Sequence, residues 1–325
     1  MRPFAAPHSG RRKGMRSTAY TKLIVWFRMG GIMHGRLLGT RIGFVGLGSM
    51  GARLAGRLLY RNRVFGTNRT RSKAVALIDQ GLIWRDTPRE VAEAADVVFS
   101  MVADDAALEA VTSGPDGILA GLQPGALYID MSTVSPGASR ELSHVVRSVG
   151  ADMVDAPVSG GVIAAETGTL AIMVGGTEAG FRAAEALLLR LGSTVTHVGG
   201  NGQGLLLDLA LNISTAAQML AFHEGVMLAA HGGIDPTVTA RALTEFANGP
   251  AMAESRMPPA LDVPRQAGCD AARMRKGIRL ALETAHASGL QLPVAAAVDR
   301  ALGRVKETGR AYHGVAGRYE GVARA

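Results

Sequence analysis

The stretch "GQGLLLDLALN", residues 202–212, places a single carboxylate, Asp208, among leucines at the start of a long apolar segment. Asn212 follows four residues later, and on a helix this spacing puts both side chains on one face. A carboxyl group whose pKa is raised by apolar surroundings can donate a proton, whereas its ionised form can stabilise a cation. An idle acid that only favours the helix dipole is the alternative. We therefore take Asp208 and Asn212 as candidate catalytic residues.

A glycine pattern near residue 46 indicates a second kind of chemistry. "RIGFVGLGSMGARLAGRLL" contains G-x-G-x-x-G as Gly46, Gly48 and Gly51, after an apolar strand and before an Ala/Leu-rich helix. The first glycine permits a tight turn, the second lets the backbone approach a pyrophosphate, and the third lets the helix pack on the strand. The pattern predicts dinucleotide binding, with a purely structural turn as the alternative. The predicted cofactor-binding residues of this loop are Gly46, Leu47, Gly48, Ser49, Met50 and Gly51.

The end of the next predicted strand bears on which dinucleotide is bound. An Asp or Glu there would bind the ribose hydroxyls of NAD, but the chain has Asn68, Arg69, Thr70 and Arg71. Guanidinium groups and a hydroxyl suit a 2′-phosphate, which an acid would repel. We predict that NADP(H) is preferred, with NAD(H) as the second choice. The alternative is a solvated basic turn.

The net charge of +8 lies in one segment of the 325-residue chain. Residues 1–40 contain no acid, and the rest of the chain is neutral. The bases of this segment are Arg2, Arg11, Arg12, Lys13, Arg16, Lys22, Arg28 and Arg36. A neutral body with 5% aromatic residues argues against a nucleic-acid partner. We expect residues 1–40 to be a disordered tail, or an upstream extension of the true start near Met33, in preference to a targeting segment.

Other residue types limit the remaining function classes. The apolar run "LIVWF" is too short to span a membrane, so we expect no membrane association. The single cysteine, Cys269, excludes an intrachain disulfide and a Cys-rich zinc site, and it favours a reducing compartment, the cytoplasm. The eight histidines are scattered, and we predict no metal site.

The order of predicted elements indicates two domains. Over 41–201, short β-rich runs alternate with helical stretches, which is typical of a mostly parallel, doubly wound α/β sheet, a Rossmann domain. The strands stop there, and 202–325 is predicted to be an all-α domain that opens with a long interdomain helix. Further helices are predicted around 237–246, 270–289 and 293–308. A substrate would lie in the cleft between the two domains.

Three segments together resemble a known family. "GLGSMG", "IDMSTVSPGASREL" and "DAPVSGGVIAAETGTLAIMVGG", in this order, are similar to the β-hydroxyacid dehydrogenases, which include 3-hydroxyisobutyrate and tartronate semialdehyde dehydrogenases. The resemblance covers about 41–319. It implies that Ser159, Gly160 and Gly161 hold a substrate carboxylate. It also implies a homodimer or homotetramer formed through the helical domain. The residues that it implies for cofactor binding are Met101, Val102, Thr133 and Lys276.

The chain departs from the family pattern at the position of the catalytic lysine, which is Asp208 here. Lys276 matches the second family lysine, although the acid that commonly follows it is Gly277. An ammonium group stabilises a developing alkoxide, which an ionised carboxylate does not, so Asp208 would act as a protonated acid. Related imine reductases place Asp or Tyr at this position, where the carboxylate stabilises an iminium ion. The intact Ser-Gly-Gly segment favours a substrate that has a carboxylate.

We therefore predict an NADP-dependent oxidoreductase that transfers hydride between nicotinamide and a small 3-hydroxy acid or its semialdehyde. Asp208, Lys276 and Asn212 would be its catalytic residues. An NADPH-dependent imine reductase that uses Asp208 is the first alternative. A cofactor-binding protein without turnover is the second.

Overall fold

The computed structural model describes residues 39–243 and 271–307. The predicted tail up to residue 38, Cys269, the segment 244–270 and the chain beyond 307 lie outside the described residues. Nine strands of the described part form one sheet. They are β1 (Arg41–Val45), β2 (Arg63–Thr67), β3 (Ile83–Trp84), β4 (Val97–Ser100), β5 (Leu127–Asp130), β6 (Asp152–Asp155), β7 (Val158–Ser159), β8 (Leu170–Gly176) and β9 (Gly192–Gly199).

The sheet is mostly parallel, as the sequence predicts. Its order is β3-β2-β1-β4-β5-β6-β8-β7, with β9 paired to β8. The pairings among β1 to β6 are all parallel, and so is that of β9 with β8, whereas β8 runs antiparallel to β6 and β7. The order reverses direction between β1 and β4, which is where doubly wound sheets bind their ligands. The prediction of a Rossmann domain is confirmed.

Helices connect the strands and then replace them. Those of the sheet region are α1 (Gly51–Leu59), α2 (Val75–Asp79), α3 (Pro88–Glu93), α4 (Asp105–Thr112), α5 (Ile118–Gly121), α6 (Pro136–Ser148), α7 (Gly161–Thr167) and α8 (Glu178–Leu188). A 3-10 turn, Arg71–Ala74, precedes α2. Those of the C-terminal region are α9 (Gln203–His231), α10 (Pro236–Ala242), α11 (Ala271–Ala287) and α12 (Pro293–Glu307).

Two details of the sheet differ from the sequence prediction. The run "ADMVDAPVS" reads as one strand, whereas the chain forms two short strands, β6 and β7, which pair antiparallel with β8 in one continuous register. Pro157 lies between them and has no N–H to donate, while its carbonyl oxygen accepts the Met173 N–H at 3.1 Å. The two-residue strand β3 is not predicted, because two residues carry no periodic signal.

The sheet is covered on both faces, which explains why its strands read as continuous apolar runs. Ile42, Phe44 and Phe99 point to the face packed by α1 and α8, and the Phe44 and Phe99 rings stack with centroids 5.8 Å apart. Val45 and Val98 point to the other face, which contributes to a second core cluster. The parallel strands are therefore fixed between two apolar layers, and their carboxyl ends form one edge.

A buried carboxylate joins the sheet to the first helix of the C-terminal region. Asp155 ends β6 and is fully buried. Its Oδ1 accepts the Gly202 N–H at 2.7 Å, and its Oδ2 accepts the Leu205 N–H at 3.2 Å. A helix leaves its first N–H groups without partners, and Asp155 satisfies two donors at the start of α9. The sheet edge therefore determines where α9 begins.

The glycines of "GQG" are explained by the same contact. A Cβ atom on Gly204 would lie 2.8 Å from Asp155 Oδ2, and one on Gly175 would lie 2.6 Å from the same atom. Gly202 has a φ of +85°, a conformation that side chains disfavour. These positions exclude side chains because the backbone of α9 lies directly on the sheet edge.

The helix α9 is long and apolar enough, by length and composition, to cross a membrane. It packs on β8 and on α11 and α12, and these contacts bury 28% of its apolar window. Ala216 of α9, Ile278 of α11 and Ala295 of α12 belong to one buried cluster. The leucines near Asp208 lie on different faces of α9, because Leu205 and Leu209 are buried whereas Leu206 is exposed.

Candidate active site

The loop between β1 and α1 has the geometry of a phosphate cradle. Gly46 has a φ of +97°, and a Cβ there would collide with the carbonyl oxygen of Met101. A Cβ on Gly51 would collide with the carbonyl oxygen of Gly46, whereas a Cβ on Gly48 would meet no atom within 4 Å. Two of the glycines are therefore required by packing, and the third exposes backbone to open space at the N-terminus of α1. This arrangement fits a dinucleotide pyrophosphate.

The other predicted loop residues divide into buried and exposed side chains. Leu47 and Met50 are buried in the core, so only their backbone faces the loop, while Ser49 is exposed. The Leu47 N–H donates to Asn68 Oδ1 at 3.1 Å, and Asn68 Nδ2 donates to the Thr70 carbonyl oxygen at 3.0 Å. Asn68 thereby joins the glycine loop to the loop after β2.

The loop after β2 presents its basic residues to solvent. Arg69, Thr70 and Arg71 are exposed, and none of the four residues 68–71 is acidic. The Arg71 guanidinium lies 5.3 Å from the centroid of the Trp84 ring, which orients it by a cation–π contact. The loop can offer two guanidinium groups and a hydroxyl to an anion next to the glycine loop.

A carboxyl group lies at the centre of the second cluster. The Asp208 side chain is almost completely buried, with 3% of the residue exposed. Thr133 Oγ1 donates to Asp208 Oδ2 at 3.4 Å, and the Asn212 side chain is also hydrogen-bonded to Asp208. Burial raises the pKa of Asp208 to about 6, against the opposing effects of Thr133, Asn212 and the charge of Lys276. Asp208 can therefore exchange a proton near neutral pH.

Lys276 extends from α11 to the edge of the sheet. Its Nζ donates to the carbonyl oxygens of Ala103 and Thr133, in the loops that follow β4 and β5. Burial lowers the pKa of Lys276, and Asp104, Asp105 and Asp208 oppose that shift. The ammonium group thus adds positive charge near Asp208, while its N–H groups donate hydrogen bonds to backbone carbonyl oxygens.

The loops that carry these carbonyls are held by an acid that the sequence prediction misses. Ser132 Oγ donates to Asp130 Oδ1 at 2.7 Å and accepts the Val102 N–H at 2.9 Å. Ser100 Oγ also donates to Asp130 Oδ1 at 2.7 Å. Asp130 is fully buried, and burial raises its pKa to about 6. Its signal in the sequence is an acid at the end of an apolar strand, directly before "MST". Asp155, under α9, has the same signal.

Ser159, Gly160 and Gly161 form a turn that follows β7. Ser159 pairs with Ala171 in the ladder between β7 and β8, which continues the register of β6 along the same edge of β8. Gly160 has a φ of +136°, and a Cβ there would lie 2.7 Å from the Ala164 Cβ. Gly161 has a φ of +75° and is the first residue of α7.

The structure therefore brings most of the predicted residues into two linked groups. A Cβ atom added at Gly46 would collide with the Met101 carbonyl oxygen and lie 3.3 Å from the Val102 side chain. The phosphate loop therefore adjoins the loop after β4. The second group consists of Asp208, Asn212, Thr133 and Lys276.

Family profiles match both halves of the chain. A profile described as the NAD binding domain of 6-phosphogluconate dehydrogenase matches residues 41–199. A second, described as NAD-binding of NADP-dependent 3-hydroxyisobutyrate dehydrogenase, matches residues 202–317. Together they account for the strands and for the helices from α9 onward.

Curated relatives and solved structures agree with these profiles. The 2-hydroxy-3-oxopropionate reductase of Escherichia coli (strain K12) is 35% identical over 253 residues, which are 78% of this chain and 87% of the relative. The structure of 3-hydroxyisobutyrate dehydrogenase of Mycobacterium tuberculosis with L-serine has a TM-score of 0.76 at 27% identity, covering 88% of this chain and 99% of the other. An imine reductase from Myxococcus stipitatus, at 18% identity and a TM-score of 0.59, covers 84% of this chain and 95% of its own and shows the same fold alone.

The raised pKa of Asp208 predicts how Asp208→Asn changes the pH dependence of stability. The carboxyl pKa rises from 3.8 to about 6 on folding, so its contribution to stability is full below pH 4 and is lost as the pH rises through 6. Two pKa units correspond to about 3 kcal/mol. Urea unfolding should show Asp208→Asn gaining up to this amount, relative to the unmodified protein, between pH 4 and pH 7. Asp79→Asn, at the exposed end of α2, is the control and should show no such gain. A difference that stays constant with pH would contradict the prediction.

Proposed function

The chain belongs to the β-hydroxyacid dehydrogenase family, and on this premise we propose that it is an NADP(H)-dependent enzyme for a small 3-hydroxy acid or its semialdehyde. The family is one of NAD(P)-dependent oxidoreductases that act on CH–OH groups. The alternative of a cofactor-binding protein without turnover loses its support, because the named relatives are dehydrogenases and reductases. The observation that carries the proposal is the buried Asp208 carboxyl group, hydrogen-bonded to Thr133 and Asn212 beside the Lys276 ammonium.

The nicotinamide cofactor, when bound, supplies or accepts the hydride. The protein has to position the substrate carbinol and to manage its hydroxyl proton. In oxidation, ionised Asp208 accepts the hydroxyl proton as the hydride leaves carbon, and a carbonyl group results. In reduction, protonated Asp208 returns that proton to the carbonyl oxygen. A carboxyl pKa of about 6 makes both forms available near neutral pH.

Neighbouring groups adjust this proton transfer. Thr133 donates a hydrogen bond to Asp208 Oδ2 and stabilises the anion, as does the positive charge of Lys276. Lys276 does not reproduce the lysine of the family pattern, since its Nζ is bonded to the carbonyl oxygens of Ala103 and Thr133. We propose that it lowers the cost of a negative charge on Asp208 and on the substrate oxygen. Asn212 hydrogen-bonds the Asp208 carboxyl group, and we propose that it also hydrogen-bonds the substrate.

The substrate carboxylate is assigned to the turn at Ser159, Gly160 and Gly161. Its two glycines have positive φ angles, so the backbone turns sharply and can direct N–H groups to one side. The Ser159 hydroxyl adds a further donor of the kind that binds carboxylates. A small 3-hydroxy acid has one carbon between its carboxylate and its carbinol. The turn at Ser159 and the cluster around Asp208 would therefore have to contact the same small molecule.

The preference for NADP(H) is proposed on the charge of the loop after β2. Arg69 and Arg71 are exposed there without an acid among residues 68–71, and Trp84 orients Arg71. A 2′-phosphate gains charge-assisted hydrogen bonds from such a loop. The loop has no carboxylate of the kind that usually binds the ribose hydroxyls of NAD.

We predict that replacing both Arg69 and Arg71 by alanine weakens NADPH binding selectively. The Kd for NADPH should rise about tenfold or more, because charge-assisted bonds to phosphate are lost, and the Kd for NADH should change little. Quenching of protein fluorescence or of cofactor fluorescence measures both constants. Lys73→Ala, in the following 3-10 turn, is the matched control and should affect neither. Equal losses for the two cofactors would refute the assignment of the 2′-phosphate to this loop.

Imine reduction is the second candidate, and the charge of the site is what favours it. The family lysine is replaced by an acid, and an ionised Asp208 would stabilise an iminium substrate that lysine would repel. The imine nitrogen would receive its proton from Asp208 and the carbon its hydride from the cofactor. The Ser-Gly-Gly turn has no role in binding a simple cyclic imine, which is why we rank this candidate second.

Substitution of Asp208 separates the two candidates. With NADPH and semialdehydes, Asp208→Asn should lower kcat about a hundredfold, since general acid catalysis is lost. Asp208→Lys should retain or increase hydroxy-acid oxidation and should abolish imine reduction. Glu109→Gln, an exposed acid on α4, is the control. Turnover of cyclic imines but not of semialdehydes by the unmodified protein would reject the first candidate, and full activity of Asp208→Asn would reject a catalytic role for the acid.

We propose that the protein is a homodimer or homotetramer that associates through its helical region. Exposed apolar side chains lie on two neighbouring helices, namely Leu211 and Leu228 on α9 and Val294 on α12. An open groove between the helices is lined by small and apolar residues, among them Leu220 and Ala297. A second copy of this chain, presenting the same surface, would cover this groove in a two-fold contact. The cytoplasm remains the proposed compartment on the sequence argument alone.

Light scattering after size-exclusion chromatography tests the association. The unmodified protein should elute as a dimer or tetramer, and Val294→Glu or Ala297→Glu should shift it toward the monomer, because each buries a charge in the apolar contact. Val75→Glu, at an exposed position of α2, should leave the mass unchanged. A monomeric unmodified protein would show that another segment covers the groove or that it stays open.

A further inference from the structure

A glycine in the interior of α11 has no explanation in helix formation. Gly277 lies within Ala271–Ala287, where alanine would stabilise the helix better than glycine. The residue has one close neighbour from another element. A Cβ atom at this position would lie 3.2 Å from Asn212 Nδ2 and 3.4 Å from Asn212 Cγ. The Asn212 side chain therefore lies directly against bare backbone, and a side chain at 277 would press on it.

Asn212 connects this position to Asp208. Its side chain is hydrogen-bonded to the Asp208 carboxyl group, four residues earlier on α9. On the other side, Lys276 donates to the Thr133 carbonyl oxygen, and the Thr133 hydroxyl donates to Asp208. The stretch Lys276–Gly277 thus reaches Asp208 by two routes, one through Thr133 and one through Asn212.

The two positions at which the chain departs from the family pattern are therefore coupled in space. We propose that Gly277 is a positioning residue for Asp208: its missing side chain lets Asn212 lie against α11 and hold the carboxyl group. The acid that the family pattern has at 277 would displace Asn212 and bring a second carboxylate next to the first. Opposite a lysine at 208, the same acid would be compensated.

The charges that face this cluster are few among the described residues. Lys276 of α11 is the cation that acts on Asp208. Asp104 and Asp105 at the start of α4, and Arg273 on α11, act on Lys276. A carboxylate at 277 would add a second negative charge next to Asp208, whereas a lysine at 208 would compensate it. The proposal rests on the proposed function for the role of Asp208 in proton transfer, but the coupling itself is a property of the folded protein.

A double-mutant cycle tests the coupling without any substrate. Gly277→Asp, Asp208→Lys and the double variant are compared with the unmodified protein by urea unfolding at pH 7. Gly277→Asp alone should lower the folding equilibrium constant at least tenfold, and in the Asp208→Lys background it should lower it less than threefold. The same factor in both backgrounds would overturn the proposal. This outcome is independent of which substrate the enzyme uses, so it is distinguishable from a failure of the proposed function.

Gly277→Ala gives a second readout, which a merely structural role would not change. The added methyl group displaces the Asn212 side chain, and the hydrogen bond that favours ionised Asp208 weakens. The free energy of unfolding of each protein is compared with that of its Asp208→Asn counterpart over a range of pH. The difference changes with pH as Asp208 titrates. The midpoint of this change should lie at least half a pH unit higher in Gly277→Ala than in the unmodified protein. Gly56→Ala is the matched control, because its methyl group makes an ordinary contact with Leu77 at 3.4 Å in the interior of α1. An unchanged midpoint in Gly277→Ala would overturn the positioning role.

Discussion

The buried hydrogen bonds between Asp155 and the start of α9 determine the rest of the site. An anion without solvent is costly unless donors surround it, and Asp155 accepts N–H groups from Gly202 and Leu205. These bonds define the first turn of α9 relative to the edge of the sheet. Asp208 lies three residues beyond Leu205, so the same bonds bring it next to Thr133. The position of the reactive acid is therefore determined at the start of its helix.

The site combines buried acids with a partly buried cation. Asp130, Asp155 and Asp208 are all buried, and burial raises the pKa of each. The first two are held by several donors each and hold backbone in place, whereas Asp208 adjoins the loops that line the proposed cofactor site. The difference between a structural acid and a reactive one lies in what surrounds it, since residue type and pKa direction are the same. The Lys276 ammonium offsets part of the negative charge at Asp208 only.

The sequence predicts the sheet, the glycine loop and the long helix because each has a strong local pattern. Gly46 and Gly51 follow from a motif in which glycine has a steric reason, and α9 follows from a long run free of proline. The spacing of Asp208 and Asn212 also predicts their contact. The roles of Asp130 and Asp155 could not be predicted, because their partners are up to 50 residues away.

The Lys276 bonds have a consequence for motion. One side chain of the helical region holds carbonyl oxygens from two successive loops of the sheet, at Ala103 and Thr133. Any opening that separates α11 from the sheet edge must break both bonds, and it simultaneously leaves Thr133, the donor to Asp208, less restrained.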